Sequence, residues 1–241
     1  MSRDVNKPSY TMAFAVVTCV ICSLMLSGVY AALNDRIKFN LRIENMRSVL
    51  ISAGLADDQT TGKMVETTFK SLKGECIDRN GTVVEEPADY DSRPEFYIME
   101  KGLVKVYKAV LDGKLEAFIV PVNGTGLWGP LKGYLALEKD GNTVKGIRFY
   151  EHKETPGLGA EIESAHFREN FHGKTLLADG EYKGITVVKG KVENVTQNPS
   201  DAKHMVDGIS GATLTGDGVT KIFSEFVASR YLPYLRANAV R

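Results

Sequence analysis

The sequence predicts an α+β protein in which one N-terminal transmembrane helix precedes a single domain, built from an antiparallel sheet with flanking helices. Three observations indicate this fold. An uncharged apolar run lies near the N-terminus, strand-like segments are joined by Asp-Gly or Asn-Gly, and short helical patterns lie between them. The 241 residues suit one sizeable domain with an appendage, and the equal numbers of basic and acidic residues, 30 each, argue against a nucleic-acid-binding surface.

The apolar run covers residues 11–33, TMAFAVVTCVICSLMLSGVYAAL, and is just long enough to cross a bilayer as a helix. A signal peptide cleaved near Val29-Tyr30-Ala31 is the alternative, but the run is too long for the apolar core of a signal peptide. Two of the three cysteines lie inside the run, so the sequence offers no disulfide framework and we assign these cysteines no metal or redox role. We therefore expect a retained membrane anchor.

Basic residues flank the run on both sides, so charge alone does not decide the orientation of the anchor. They are Arg3 and Lys7 before the run, and Arg36, Lys38 and Arg42 after it. Long domains are translocated despite such charges. We expect residues 1–10 to form a short cytoplasmic tail, with the bulk of the chain on the other side of the membrane.

Two helical patterns follow the anchor. Apolar residues in the segment 37–53 recur at helical spacing up to Gly54, which predicts a stem helix. A second such pattern in the segment 65–72 ends before Gly74. The chain then changes to alternating, strand-like chemistry.

Turn dipeptides divide the strand-like region into hairpins. The first predicted turn is Asn80-Gly81; segments 104–110 and 115–122 flank Asp112-Gly113, and segments 134–138 and 144–150 flank Asp140-Gly141. Beyond them we predict a helix over 160–171 ending at Gly173, a strand over 185–189, and a C-terminal helix that begins near Gly216 to Gly218.

Two loops carry residues that suit a flat ligand. The segment NGTGLWGPLKGYLAL, which starts at Asn123, places the only tryptophan, Trp128, among glycines that permit close approach of the backbone. The segment YEHKETPGLGAEI sets Glu154 and Thr155 beside the rigid turn Pro156–Gly159. A buried tryptophan and an ordinary Pro-Gly bend are the structural alternatives, and either segment alone leaves them open.

The segment SGATLTGDGV, residues 210–219, holds three hydroxyl side chains before the C-terminal helix. We expect Thr215 to be the N-cap of that helix, which leaves Ser210 and Thr213 ahead of it. Converging backbone amides at a helix N-terminus suit an anion, although a plain capped turn is the alternative. No GxxxxGK[ST] pattern is present and the segment contains no lysine, which argues against a nucleotide held as in a P-loop.

The stretch DGISGAT, Asp207 to Thr213, resembles the flavinylation motif of bacterial FMN-binding domains. Together with GLWGPLKGY, NTVKG and YEHKETPGLGA, it resembles the C subunits of the sodium-translocating NADH:quinone oxidoreductases. The resemblance implies an FMN joined through its phosphate to Thr213. It further implies a phosphate held by Ser210, Gly211, Ala212, Leu214 and Thr215, and an isoalloxazine ring flanked by Trp128, Glu154, Thr155, Gly157 and Leu158.

The resemblance also implies the function. Such a chain relays electrons within a bacterial inner-membrane complex, receives them from an iron–sulfur centre in membrane subunits, and passes them to a covalently bound FMN in the B subunit of the complex. A flavin transferase is its maturation partner. Sodium transport belongs to the complex, because the apolar run holds no acidic residue that would bind the ion.

Two alternatives remain open from the sequence. The G subunits of the Rnf-type ferredoxin:NAD oxidoreductases share the ETPGLG-like and SGAT-like stretches but lack the tryptophan-bearing GLWGP. A membrane-anchored periplasmic binding module without redox chemistry would use the same loops for a soluble ligand. We favour the first resemblance, with the chain divided into a tail (1–10), a span (11–33), a stem and first part of the periplasmic domain (34–97), and an FMN-binding domain (98–241).

Overall fold

The structure is a computed structural model that describes residues 8–90, 94, 97–111 and 113–240. The first seven residues of the expected tail and Asp112 of the second expected turn lie outside the described residues. The chain divides into two compact units, Met1–Ile43 and Glu44–Arg241.

Helix α1, Pro8–Ser52, contains the apolar run and all but the last residue of the expected stem segment. Its most apolar 18-residue window has a mean hydropathy of 2.3, so the helix is long and apolar enough to cross a membrane. Gly54, at φ 69°, ends it as expected. The amide of Gly54 bonds the carbonyl of Ile51 and the amide of Leu55 bonds that of Leu50, which is how helices commonly stop.

A six-stranded antiparallel sheet forms the centre of the second unit and confirms the predicted sheet, with the order β2-β1-β3-β4-β5-β6. The strands are β1 Lys73–Ile77, β2 Val83–Val84, β3 Val104–Leu111, β4 Lys114–Thr125, β5 Pro130–Glu138 and β6 Val144–Glu151. The turn at Asn80-Gly81 joins β1 to β2 as predicted, and the pair Asp140-Gly141 lies between β5 and β6. Helix α2, Gly62–Phe69, ends three residues earlier than the expected segment.

The main core cluster lies on one face of the sheet and a smaller cluster lies on the other, because strand residues alternate between the two faces. Phe118, Val120 and Val122 of β4 enter the main cluster, which also includes Phe149 and Phe223. Ile119 points to the opposite face and joins a smaller cluster with residues at the end of α1. The sheet is therefore buried on both sides over its central strands.

Segments after β6 are shorter than the sequence predicts. The expected helix 160–171 is two pieces, a 3₁₀ turn Gly159–Glu163 and helix α3 Ala165–Glu169. Ser164 is extended between them and its hydroxyl accepts the amide of Phe167, which starts α3.

The expected strand 185–189 is only β9, Thr186–Val187, which pairs in parallel with β10, Met205–Val206. Strands β7 Leu177–Ala178 and β8 Glu181–Tyr182 form a small hairpin, and a 3₁₀ turn Val192–Asn194 and helix α4 Pro199–Ala202 precede β10.

The C-terminal helical region continues without an extended break from Thr213 to Asn238. It comprises α5 Thr213–Lys221, a π-helical segment Ile222–Val227, α6 Ala228–Arg230 and α7 Leu232–Asn238. The expected start near Gly216 to Gly218 is wrong, since α5 begins at Thr213. The region packs closely on β4: a Cβ at Gly124 would overlap Ile222, and one at Gly218 would overlap the carbonyl oxygen of Thr125.

Candidate functional site

Three segments that are distant in sequence meet at one end of the sheet. They are the loop 126–129 between β4 and β5, the turn 154–159 after β6, and residues 210–216 at the start of α5. We call this region the three-segment junction. The loop is closed by a hydrogen bond from the amide of Gly126 to the carbonyl of Gly129, at 2.8 Å.

Glu154 joins the three segments through its carboxylate. Its side chain is buried, with the residue only 5% exposed. Oε1 accepts the backbone amide of Trp128 at 2.9 Å, and Oε2 accepts the hydroxyl of Thr215 at 2.5 Å. Burial raises the pKa of Glu154, but the hydrogen bonds from Thr215, Trp128 and the amide of Leu127 outweigh it, so the net pKa is lowered and the carboxylate is ionised at neutral pH.

Glycines allow the segments to approach this closely. A Cβ at Gly126 would lie 2.6 Å from Oε1 of Glu154. A Cβ at Gly159 would lie 2.5 Å from Oγ1 of Thr215 and 2.7 Å from Oε2 of Glu154. Gly211, at φ 74°, turns the chain into α5 and its Cβ would lie 2.9 Å from Leu158. These glycines are therefore required by packing around the carboxylate and at the start of α5.

The predicted role of Thr215 is wrong. Thr215 is the third residue of α5, it is buried, and its hydroxyl donates to Glu154 instead of accepting a helix amide. The N-cap position belongs to Ala212, whose side chain makes no capping hydrogen bond. The reason is that α5 begins two residues earlier, so Thr215 lies inside the helix. Its hydroxyl donates a charge-assisted hydrogen bond to the buried carboxylate of Glu154.

The start of α5 presents backbone donors. Its first intrahelical hydrogen bond runs from the amide of Gly216 to the carbonyl of Ala212, at 3.0 Å. The amides of Thr213, Leu214 and Thr215 precede that bond, and helix amides at these positions have no intrahelical acceptor. Thr213 itself is exposed at the first helical position, and Ser210 is exposed three residues earlier. The arrangement suits an anion held beside the Thr213 hydroxyl.

The turn after β6 is tightly organised. The amides of Leu158 and Ala160 both bond the carbonyl of Thr155 at 3.1 Å, and Gly157 has φ 72°. His152, at the end of β6, accepts the amide of Glu154 at 3.1 Å and lies 3.1 Å from Glu163. His152 is thus a hydrogen-bonded structural residue.

Large apolar side chains around the junction face outward. Trp128 is 64% exposed, which excludes the alternative of a buried tryptophan that anchors the bend. Leu127, Leu158 and Leu214 are also exposed. Exposed apolar side chains that lie together on a surface indicate a site of interaction with another molecule.

Two further features of the site are ones that the sequence does not predict. Asp207 anchors the other end of the DGISGAT stretch by accepting Lys191 at 2.7 Å and the amide of Val192 at 2.8 Å. Burial raises the pKa of Asp207, but these bonds outweigh it and the net pKa is lowered. The second feature is an open cleft of about 890 Å³ beside α5, which shares Gly126, Leu127 and Leu214 with the junction and extends to Phe226 and Arg230. Neither has a local sequence signal, because the partners come from separate segments.

The fold and the junction define a class of protein. The model of the FMN-binding domain family matches residues 126–228, which include all three segments of the junction. The resemblance of the DGISGAT stretch to FMN-binding domains is therefore confirmed at the level of the family.

Comparison with individual proteins narrows the class. The C subunit of the Na⁺-translocating NADH-quinone reductase of Pseudomonas aeruginosa is 35% identical over 236 residues, 88% of this chain and 88% of that protein. The corresponding protein of Vibrio anguillarum is 33% identical and covers 92% and 91% of the two chains. The crystal structure of the C subunit from Parabacteroides distasonis matches with a TM-score of 0.70 and 31% identity, over 84% of this chain and 96% of that one. The chain belongs to the family of C subunits of the Na⁺-translocating NADH-quinone reductases.

Proposed function

We propose that the chain carries electrons within a sodium-translocating NADH:quinone oxidoreductase by means of an FMN esterified to Thr213. The observation that carries the proposal is the exposed hydroxyl of Thr213 at the first position of α5, beside helix amides that precede the first intrahelical hydrogen bond. Family membership supports the redox role and disfavours the Rnf-type protein and the non-redox binding module.

The residues at the start of α5 fit a phosphodiester. Esterification turns a phosphate dianion into a single negative charge, which needs fewer cationic partners. The first basic residue after Ser210 is Lys221, at the far end of α5. The amides of Thr213, Leu214 and Thr215, with Gly211, Ala212 and the Ser210 hydroxyl nearby, would hold the phosphate oxygens at the positive end of the helix dipole.

The other two segments fit the ring. Trp128 and Leu158 offer exposed apolar surface for an isoalloxazine face, and Thr155 and the Gly157 backbone lie on the same turn as Leu158. FMN supplies one- and two-electron transfer when it is bound. The chain's own residues hold the phosphate, orient the ring and shield part of it from water. Glu154 would support the ring site indirectly, because its carboxylate is buried and hydrogen-bonded to Trp128 and Thr215.

The experiment that tests the proposal is retention of flavin under denaturing conditions. The full chain, produced in cells that contain the flavin transferase, should be yellow, keep its colour through acid precipitation and show in-gel flavin fluorescence. A tryptic peptide that carries the FMN mass should contain Thr213. Colourless protein from such cells would contradict the proposal.

Replacement of Trp128 tests the ring site. We expect Trp128→Ala to change the visible spectrum or the midpoint potential of the flavin while the covalent bond remains, because the side chain covers the ring but not the phosphate. A matched control is Val195→Ala, which removes another exposed apolar side chain, one outside the three-segment junction. An unchanged spectrum, potential and electron-transfer rate in Trp128→Ala would return Trp128 to a purely structural role.

We further propose that residues 11–33 span the inner membrane, that residues 1–10 are cytoplasmic, and that residues 34–97 and the FMN-binding domain, residues 98–241, are periplasmic. The length and apolar composition of α1 support the span. Protease added to spheroplasts should therefore digest the domain, while a tag before residue 1 stays protected until the membrane is opened. Protection of the domain in intact spheroplasts would reverse the orientation, and a mature N-terminus near Ala32 would show a cleaved signal peptide.

The proposed partners follow from the place of the chain in the complex. Electrons would arrive from an iron–sulfur centre held by membrane subunits and leave to the covalent FMN of the B subunit, and a flavin transferase would attach the cofactor. The name shared by the relatives is that of one component of a larger enzyme, which implies other components. Co-purification with an assembly that oxidises NADH and reduces quinone would support this placement.

A further inference from the structure

Glu154 has a position that flavin binding alone does not explain. Its carboxylate accepts donors from two segments that lie 26 and 61 residues away in sequence, the Trp128 loop and α5. Each oxygen serves a different segment, and the residue is only 5% exposed. The carboxylate is therefore directed into the protein, between the expected ring surface and the helix that carries Thr213.

We propose that Glu154 is a positioning residue, whose carboxylate fixes the Trp128 loop relative to α5 and thereby sets the geometry of the flavin ring over its attachment point. Only the effect on the flavin ring rests on the proposed function. The coupling between the two segments belongs to the chain itself and precedes any cofactor.

The surrounding packing leaves the carboxylate little freedom. Gly126 and Gly159 lie against its two oxygens, and a Cβ at either position would come within 2.7 Å of one of them. The amide of Glu154 is itself bonded to His152, which in turn lies 3.1 Å from Glu163. A buried hydrogen-bonded carboxylate in so close a fit transmits a displacement of one segment to the other.

The tethered cofactor gives this coupling a function. One end of the FMN would be fixed at Thr213 on α5, whereas the ring would rest on Trp128 and Leu158 of the other two segments. A cofactor's supporting residues control its orientation and electronics even when they do not touch it. Loss of the Glu154 bond to α5 should therefore change the ring environment without changing the ester bond.

Thr215→Val tests the coupling most directly, because it is isosteric and removes only the hydroxyl that donates to Glu154. Thr220→Val is the matched control. Thr220 lies on the same helix, but its hydroxyl accepts the amide of Val187 and donates to the carbonyl of Gly216. Thr215→Ser retains the donor and should behave as the wild type. Thr215→Ala provides a second variant without the hydroxyl if the valine variant does not fold.

The first readout is the full chain without flavin. Hydrogen exchange of the Trp128 amide should rise roughly tenfold or more in Thr215→Val, since loss of a bond to a charged group frees the loop. Fluorescence anisotropy of Trp128, the only tryptophan, should fall in parallel. Thr220→Val should leave both signals unchanged. Wild-type exchange in both Thr215 variants that lack the hydroxyl would overturn the proposal.

The second readout is the flavin-bearing chain. Thr215→Val should retain covalent FMN but shift its midpoint potential and its visible circular dichroism, whereas Thr215→Ser and Thr220→Val should not. A freed loop with an unaltered flavin would show that Glu154 is structural only and would overturn the positioning role. If the wild-type chain carries no FMN, the proposed function fails, yet the amide-exchange result still reports on the coupling.

Discussion

Thr213→Ala is expected to abolish covalent FMN while it leaves the fold almost intact. The Thr213 hydroxyl is exposed at the first position of α5, so its removal leaves no buried cavity. Loss of an exposed side chain at this position should change the free energy of unfolding by no more than about 0.5 kcal/mol. The effect on the flavin should be complete, because the ester oxygen itself is removed.

The neighbouring hydroxyls provide the controls. Ser210→Ala should weaken contacts to the phosphate but retain the ester bond. Thr215→Val should also retain it, because the Thr215 hydroxyl is buried and donates to Glu154. In-gel fluorescence and peptide mass spectrometry measure the outcome. Flavin that persists in Thr213→Ala, or that maps to Ser210 or Thr215, would identify a different attachment residue.

Local chemistry determines the parts of the fold that the sequence predicts well. The end of α1 at Gly54 and the turn at Asn80-Gly81 depend on backbone conformations that glycine adopts readily, and both lie where the sequence places them. The alternation of β4 likewise follows from its own residues. Such features need no knowledge of distant segments.

A contact between distant segments explains why the N-cap prediction for Thr215 is wrong. Thr215 has the residue type of an N-cap, but its partner is Glu154, 61 residues away. Helix α5 accordingly begins at Thr213, earlier than the predicted start near Gly216 to Gly218. The break in the predicted helix 160–171 has a local cause instead, because Ser164 is extended and caps α3, which helical periodicity does not reveal.

In the candidate site, too, the sequence predicts the segments involved but not the contacts between them. The sequence singles out Trp128, Glu154 and Thr213 from separate stretches, and the structure brings their segments together at the three-segment junction. The role of Glu154 as the link between segments could not be predicted. A carboxylate next to a Pro-Gly turn is equally compatible with an exposed side chain that contacts a bound molecule. Glycines gave the only sequence signal of close approach, and their partners became clear only from the fold.

Gly218→Ala should have the largest effect on stability among the glycine variants of α5. A Cβ at Gly218 would overlap the carbonyl oxygen of Thr125 and lie 3.2 Å from Cα of Gly126. Both neighbours are backbone atoms, so no side-chain rotation relieves the contact. Although alanine favours a helix over glycine by about 1 kcal/mol, the overlap should dominate and lower the free energy of unfolding by about 2 kcal/mol.

Gly216→Ala is the matched comparison on the same helix. Its Cβ would meet only the side chain of Val187, at 3.1 Å, which a small adjustment accommodates. Its stability should therefore stay within about 1 kcal/mol of the wild type, whereas Gly218→Ala should lower Tm by roughly 4–8 °C. Displacement of Gly126 would also move the loop of Trp128, so the fluorescence of this tryptophan should change in Gly218→Ala alone. Equal melting temperatures and equal spectra for the two variants would show that α5 does not hold the loop through Gly218.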